Sequence, residues 1–144
     1  MRKIDKLIVH CSATREGQYI SVDTIRDWHV NGRGWNDIGY HFYIDLDGNI
    51  FKGRNIEKMG AHCKGHNRYS IGICYCGGVE KDGKTPKDTR NEKQKESLLA
   101  VLRTLKAMFP DSAIHSHRDF ARKACPSFDA TTEYSDLNVV SSVL

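Results

Sequence analysis

The apolar run Leu7-Ile8-Val9 leads from Lys6 to His10 and Cys11, with Leu7 and Val9 projecting to one side of an extended segment and Ile8 and His10 to the other. Such a run predicts a short strand. From Ser21 the pattern changes. Val22, Ile25 and Trp28 recur at helical spacing behind a serine that can cap a helix. A helix is therefore expected to run to about Asn31, with Trp28 in the core. Residues 40–45 and 50–53 flank Asp47-Gly48, a strong hairpin signal. The continuous apolar run at 71–76 reads as a buried strand. Residues 77–88 are polar and carry Gly77-Gly78, Asp82-Gly83 and Pro86, so an exposed loop is expected there.

Thr89 and Glu92 have the spacing of a capping box. The longest helix follows, reaching about Phe109, and Pro110 stops it. Leu98, Leu102, Leu105 and Met108 form its core stripe, widened by Leu99 and Val101. A short strand at 113–115, a loop at 117–128 and a weak terminal helix complete the pattern. Strands and helices alternate around one hairpin. That order predicts an α/β fold, a mixed β-sheet of about five strands with helices packed on it.

The chain has 144 residues, of which 39% are hydrophobic and 28% charged. This length suits one compact domain over residues 1–144. No run approaches the ~20 apolar residues of a membrane span. The few apolar residues before His10 are too short for the core of a signal peptide, so a protein kept in the cytoplasm until released or exported is expected. The net charge of +4 is mild and spread out. It suits an anionic partner such as a cell wall, and nucleic acid is not expected. Five cysteines without an export signal argue against a disulfide framework.

The chemistry-bearing residues gather at predicted strand ends. His10 closes the first strand, His117 follows the last, and Cys125 lies eight residues later. Two imidazoles and a thiolate are good zinc ligands, and three protein ligands leave a fourth position open. Spacing alone leaves other sets available: His62, Cys63 and His66; His115 with His117; and Cys74 with Cys76.

Longer motifs narrow the choice. The chain resembles the zinc N-acetylmuramoyl-L-alanine amidases, which include phage lysozymes of amidase type and peptidoglycan recognition proteins. The resemblance runs from Leu7-Ile-Val-His-Cys-Ser-Ala-Thr14 through Trp28-His29, Gly39-Tyr-His-Phe42, Asp47-Gly48 and Gly53-Arg54. It continues at Gly60-Ala-His62, Asn67, Ser70-Ile-Gly-Ile73 and Gly77-Gly78, then at His117-Arg-Asp119 and Lys123-Ala-Cys-Pro-Ser-Phe-Asp129. By position it implies zinc ligands at His10, His117 and Cys125, and catalytic roles for Tyr40 and Lys123. It implies a substrate-contacting loop at His62 and Asn67. The implied substrate is bacterial peptidoglycan, cut between N-acetylmuramic acid and L-alanine by a monomeric phage lysis enzyme or wall amidase. A binding module without catalysis is the alternative. A cysteine hydrolase with Cys125 as nucleophile and His117 as base is another.

Overall fold

The computed structural model describes residues 2–138. Its centre is β1 (Lys6–Cys11), buried from Leu7 onward. β1 pairs in parallel with β5 (Ser70–Tyr75) on one side and with β7 (Ala113–Ser116) on the other. A strand flanked by parallel neighbours and covered on both faces needs apolar residues at nearly every position, which explains its continuous burial. Beyond β5 lies β3 (Phe42–Ile44), parallel to it, and then β4 (Ile50–Lys52), antiparallel to β3. The order β4-β3-β5-β1-β7 is the expected mixed five-stranded sheet. Asp45 accepts from the N–H groups of Asp47 (3.0 Å) and Asn49 (2.8 Å), which shapes the predicted hairpin turn. Gly48 takes a φ of 80°, where a glycine is favoured.

The two sheet faces carry separate cores. α2 (Glu92–Met108) lays Leu98, Leu102 and Leu105 against Leu7, Val9, Ile71, Ile73 and Ile114. On the opposite face, Ile25 of α1 (Val22–Asp27) packs with Ile20, Ile38, Tyr43 and Cys74. His10 alternates with Val9 and points to this second side. Two minor strands, β2 (Thr14–Arg15) and β6 (Gly78–Val79), pair in parallel beside the main sheet. Gly78 and Val79 are therefore buried, although the segment from 77 to 88 reads as a loop. The rest of that segment is mostly exposed, as expected.

Three expectations need correction. The capping box of α2 uses Asn91 and Gln94, not Thr89 and Glu92. Thr89 Oγ1 is engaged by the Gly78 N–H at 2.8 Å, while buried Gln94 reaches the Cys76 carbonyl at 2.8 Å. Those tethers set the helix start two residues later. Met108 is 46% exposed because the last turn of α2 faces an open cleft beside β4. Trp28 is 43% exposed because the helix widens into a π turn at Trp28–Gly32, which rotates it off the stripe of Val22 and Ile25.

The C-terminal part is pinned by one buried cation. Arg90 donates to Asp88, to Glu133 at the end of α3 (Ala130–Glu133) and to Tyr134, and lies 3.4 Å over the Phe128 ring. A buried guanidinium needs partners on every donor side, and this one has them. A 3₁₀ turn at Ser135–Asn138 follows. The weak terminal helix thus takes the form of α3 and this turn, while residues 139–144 lie outside those described.

Candidate metal centre and its groove

Parallel pairing brings the first two ligand candidates together. Val9 is in register with Ser116, so His10 and His117 emerge side by side at the carboxyl ends of adjacent strands. Ligands gather at such strand ends in sheets covered by helices. Cys125 arrives from the loop beyond. That loop is held by the Arg118 N–H on the Cys125 carbonyl (2.8 Å), by the Tyr75 hydroxyl on the Pro126 carbonyl (2.6 Å) and by the Ser127 hydroxyl on the Gly78 carbonyl (2.7 Å). The Cys11 N–H points at Cys125 Sγ from 3.1 Å and favours a thiolate, but the Cys11 thiol and burial outweigh it and push the Cys125 thiol well up where no cation faces it.

The donor atoms converge. His10 Nδ1 is 3.1 Å from His117 Nδ1 and 3.9 Å from Cys125 Sγ, and all three ligand atoms lie within 4.8 Å of one another. A tetrahedral site with metal–ligand bonds of ~2.0–2.3 Å has donor separations of this order. Burial, with further depression from His62 and His117, holds the His10 imidazole well below its ordinary pKa. Burial and then Lys123 lower His117 too. Both rings are therefore neutral, the form that binds a metal. Among the described residues no other group of three potential ligands converges this way. His66 stacks on Phe120 at 4.3 Å instead of joining Cys63, and His115 packs against the same ring at 5.1 Å. Cys74 and Cys76 are buried free thiols in the second core.

The other four candidates surround this cluster. The Tyr40 ring, just before β3, lies 5.1 Å from His10. Burial raises its hydroxyl well above the ordinary tyrosine value, so it stays a hydrogen-bond donor. Lys123 is exposed and lines a cavity of about 680 Å³ together with His62, Asn67 and His117. His62 is buried, its Nδ1 2.8 Å from His10 Nε2. Asn67 Oδ1 accepts from the N–H groups of His62 (3.0 Å) and Cys63 (2.9 Å) and so shapes the loop that carries His62.

Sequence reasoning did not single out the cavity walls. Arg33, Trp35, Lys64 and Phe120 line it, with Arg33 stacked 5.2 Å from the Trp35 ring. Two aromatic and three cationic side chains, counting Lys123, suit a ligand with apolar faces and anionic groups. Their positions, far apart in the chain, follow no local pattern. A second cleft of about 720 Å³ opens between β4 and α2, lined by Ile50, Val101, Leu105 and Met108, away from the three donors.

Two further histidines support the backbone near Tyr40. His29 Nδ1 accepts from the Gly39 N–H at 2.9 Å, and His41 Nδ1 from the Gly72 N–H at 3.0 Å. Burial lowers each from about 6.5 to about 4. The unfolded chain thus binds more protons than the folded one between these values, so stability rises with pH there. The contribution is complete above about pH 6.5 and is lost as pH falls toward 4. Urea unfolding at pH 5 should show a stability lower than at pH 7 by about 2 kcal/mol for buried His41 and about 1 kcal/mol for half-exposed His29, the latter discounted for solvent screening. His29→Gln should flatten that slope, and an unchanged slope would contradict the assignment.

The chain is similar to known proteins over most of its length. The profile of the family described as N-acetylmuramoyl-L-alanine amidase matches residues 1–128. An endolysin of Escherichia phage T7 is 41% identical over 138 residues, covering 96% of this chain and 90% of that protein. The solved structure of the N-acetylmuramoyl-L-alanine amidase LysC from Clostridium intestinale superposes with a TM-score of 0.80 at 28% identity, covering 96% of this chain and 87% of the other. A complex of the peptidoglycan recognition proteins LCa and LCx with tracheal cytotoxin gives a TM-score of 0.76 at 26% identity, covering 94% and 82%.

Proposed function

This chain belongs to the N-acetylmuramoyl-L-alanine amidase family and is a peptidoglycan-cleaving amidase; from that premise we propose that His10, His117 and Cys125 hold a catalytic zinc ion, with Tyr40 and Lys123 acting on the scissile amide. The observation that carries this reading is the convergence of three buried or half-buried donors beside a cavity lined by Lys123. Zinc bound there would polarise the amide carbonyl and lower the pKa of water to about 7.

The chain's own groups account for the rest. Attack on an amide builds negative charge on the carbonyl oxygen, and donors placed at that oxygen lower the barrier. The Lys123 ammonium, two residues from Cys125 and on the cavity wall, would be one such donor. The Tyr40 hydroxyl, kept protonated by burial on a ring 5.1 Å from that of His10, would be a second donor to the attacking water or to the oxyanion. Trp35 and Phe120 offer faces for the apolar sides of the sugar and stem peptide, and Arg33 and Lys64 offer charge for its carboxylates. Asn67 would act through the loop it braces.

We assign the whole chain to one amidase domain that works as a monomer on the cell wall, in the manner of a phage lysis enzyme. No helix among the described residues is long and apolar enough to cross a membrane. Mass spectrometry of muropeptides after digestion of purified peptidoglycan tests the reaction. New L-alanine amino termini without new reducing sugar ends are expected. Release of neither by zinc-loaded protein, on any wall type, would overturn the reading.

A further inference from the structure

We propose that His62 is a positioning residue for His10, fixing the tautomer and ring plane of that metal ligand rather than serving chiefly as a substrate contact. This rests on the zinc reading above. His10 presents Nδ1 to His117 and Cys125 and turns Nε2 toward His62 Nδ1, 2.8 Å away. A neutral imidazole that ligates through one nitrogen carries its proton on the other, so His10 Nε2–H is the donor and His62 Nδ1 the acceptor. His62 must then keep its own proton on Nε2, which lies 3.2 Å from Ser70 Oγ. Both His62 ring nitrogens are thus engaged inside the protein.

The fold is built around this ring. A Cβ at Gly72 would stand 2.5 Å from His62 Cγ, and one at Gly60 would stand 2.8 Å from His62 Cδ2. Two glycines, one on β5 and one on the preceding loop, leave the slot that the imidazole fills. The His41 ring meets it edge-on at 5.7 Å. Asn67 fixes the backbone at His62 itself. Ligating histidines usually donate their second N–H to a carboxylate or carbonyl. Here a buried neutral imidazole takes that place, backed by a serine hydroxyl.

Zinc affinity, measured by competition with a chromophoric chelator, tests the assignment, alongside the visible absorption of the cobalt-substituted protein. His62→Leu fills the slot without an acceptor and should weaken zinc binding by about 10- to 100-fold. It should also shift the cobalt bands. His62→Gln keeps an acceptor for the His10 N–H and should restore most of the affinity. Gly72→Ala crowds the ring with His62 present and should resemble His62→Leu. Thermal unfolding of the metal-free variants separates these effects from a general loss of fold; should Gly72→Ala not fold, the His62→Leu and His62→Gln pair decides. Parent-like zinc affinity and cobalt spectrum in His62→Leu would overturn the proposal while leaving the zinc reading standing. A parent protein that binds no zinc would overturn that reading, and this one with it.

Discussion

Cys125→Ser is expected to lower peptidoglycan hydrolysis at least ~1000-fold and to strip most of the bound zinc, because a neutral hydroxyl does not replace a thiolate on the metal that makes water a nucleophile near neutral pH. The change should leave the fold intact. Cys125 sits at the rim of the core, and its loop is held by contacts that do not involve the sulfur: Tyr75 on the Pro126 carbonyl and Ser127 on the Gly78 carbonyl. The surrounding strands pair independently of this side chain. Zinc content by elemental analysis, read beside circular dichroism and hydrolysis, separates loss of metal from loss of structure. A serine variant with full zinc and full turnover would show that the ligands are wrongly assigned. The parent protein also decides between zinc chemistry and a cysteine nucleophile. Activity should vanish with a chelator and return with zinc. Activity insensitive to chelation would favour Cys125 as nucleophile with His117 as base.

Lys123→Ala should reduce kcat by about 100- to 1000-fold, the usual cost of removing one donor to a developing oxyanion, with zinc content unchanged. Lys123 is exposed, so the loss cannot come from a collapsed core. It lines the cavity with His62 and His117 and lies close enough to depress both His10 and His117 electrostatically. Lys123→Arg should recover part of the rate, since charge is kept while geometry changes. A variant that raises KM alone, with kcat intact, would recast Lys123 as a substrate anchor. Unchanged kcat and KM would remove it from the site.

The sheet and its two main helices were legible because burial in this fold leaves a local pattern. The apolar run Leu7–Val9 marks a strand covered on both faces and α2 repeats its leucines every three or four residues, so each element announces its burial without knowing its partner. The errors fall where a tertiary contact overrides the local pattern. Thr89 looks like a cap, but the Gly78 N–H occupies its hydroxyl and Asn91 caps instead. Trp28 continues a helical stripe on paper, yet a wider turn rotates it outward.

The proposed metal ligands divide along the same line. Residue type and the motifs around them singled out His10, His117 and Cys125, since local chemistry and order are properties of a string. That these three atoms meet within 4.8 Å is decided by parallel pairing of β1 with β7 and by the clamped loop that returns Cys125. The place of His62 was invisible for a related reason. Its neighbours His10, Gly60, Ser70 and Gly72 come from three separate segments, and only their packing shows an imidazole seated between two glycines with one ring nitrogen turned to His10. Local order determined which groups this chain carries and the elements that hold them; long-range pairing, which joins residues more than a hundred positions apart, decided which of them meet.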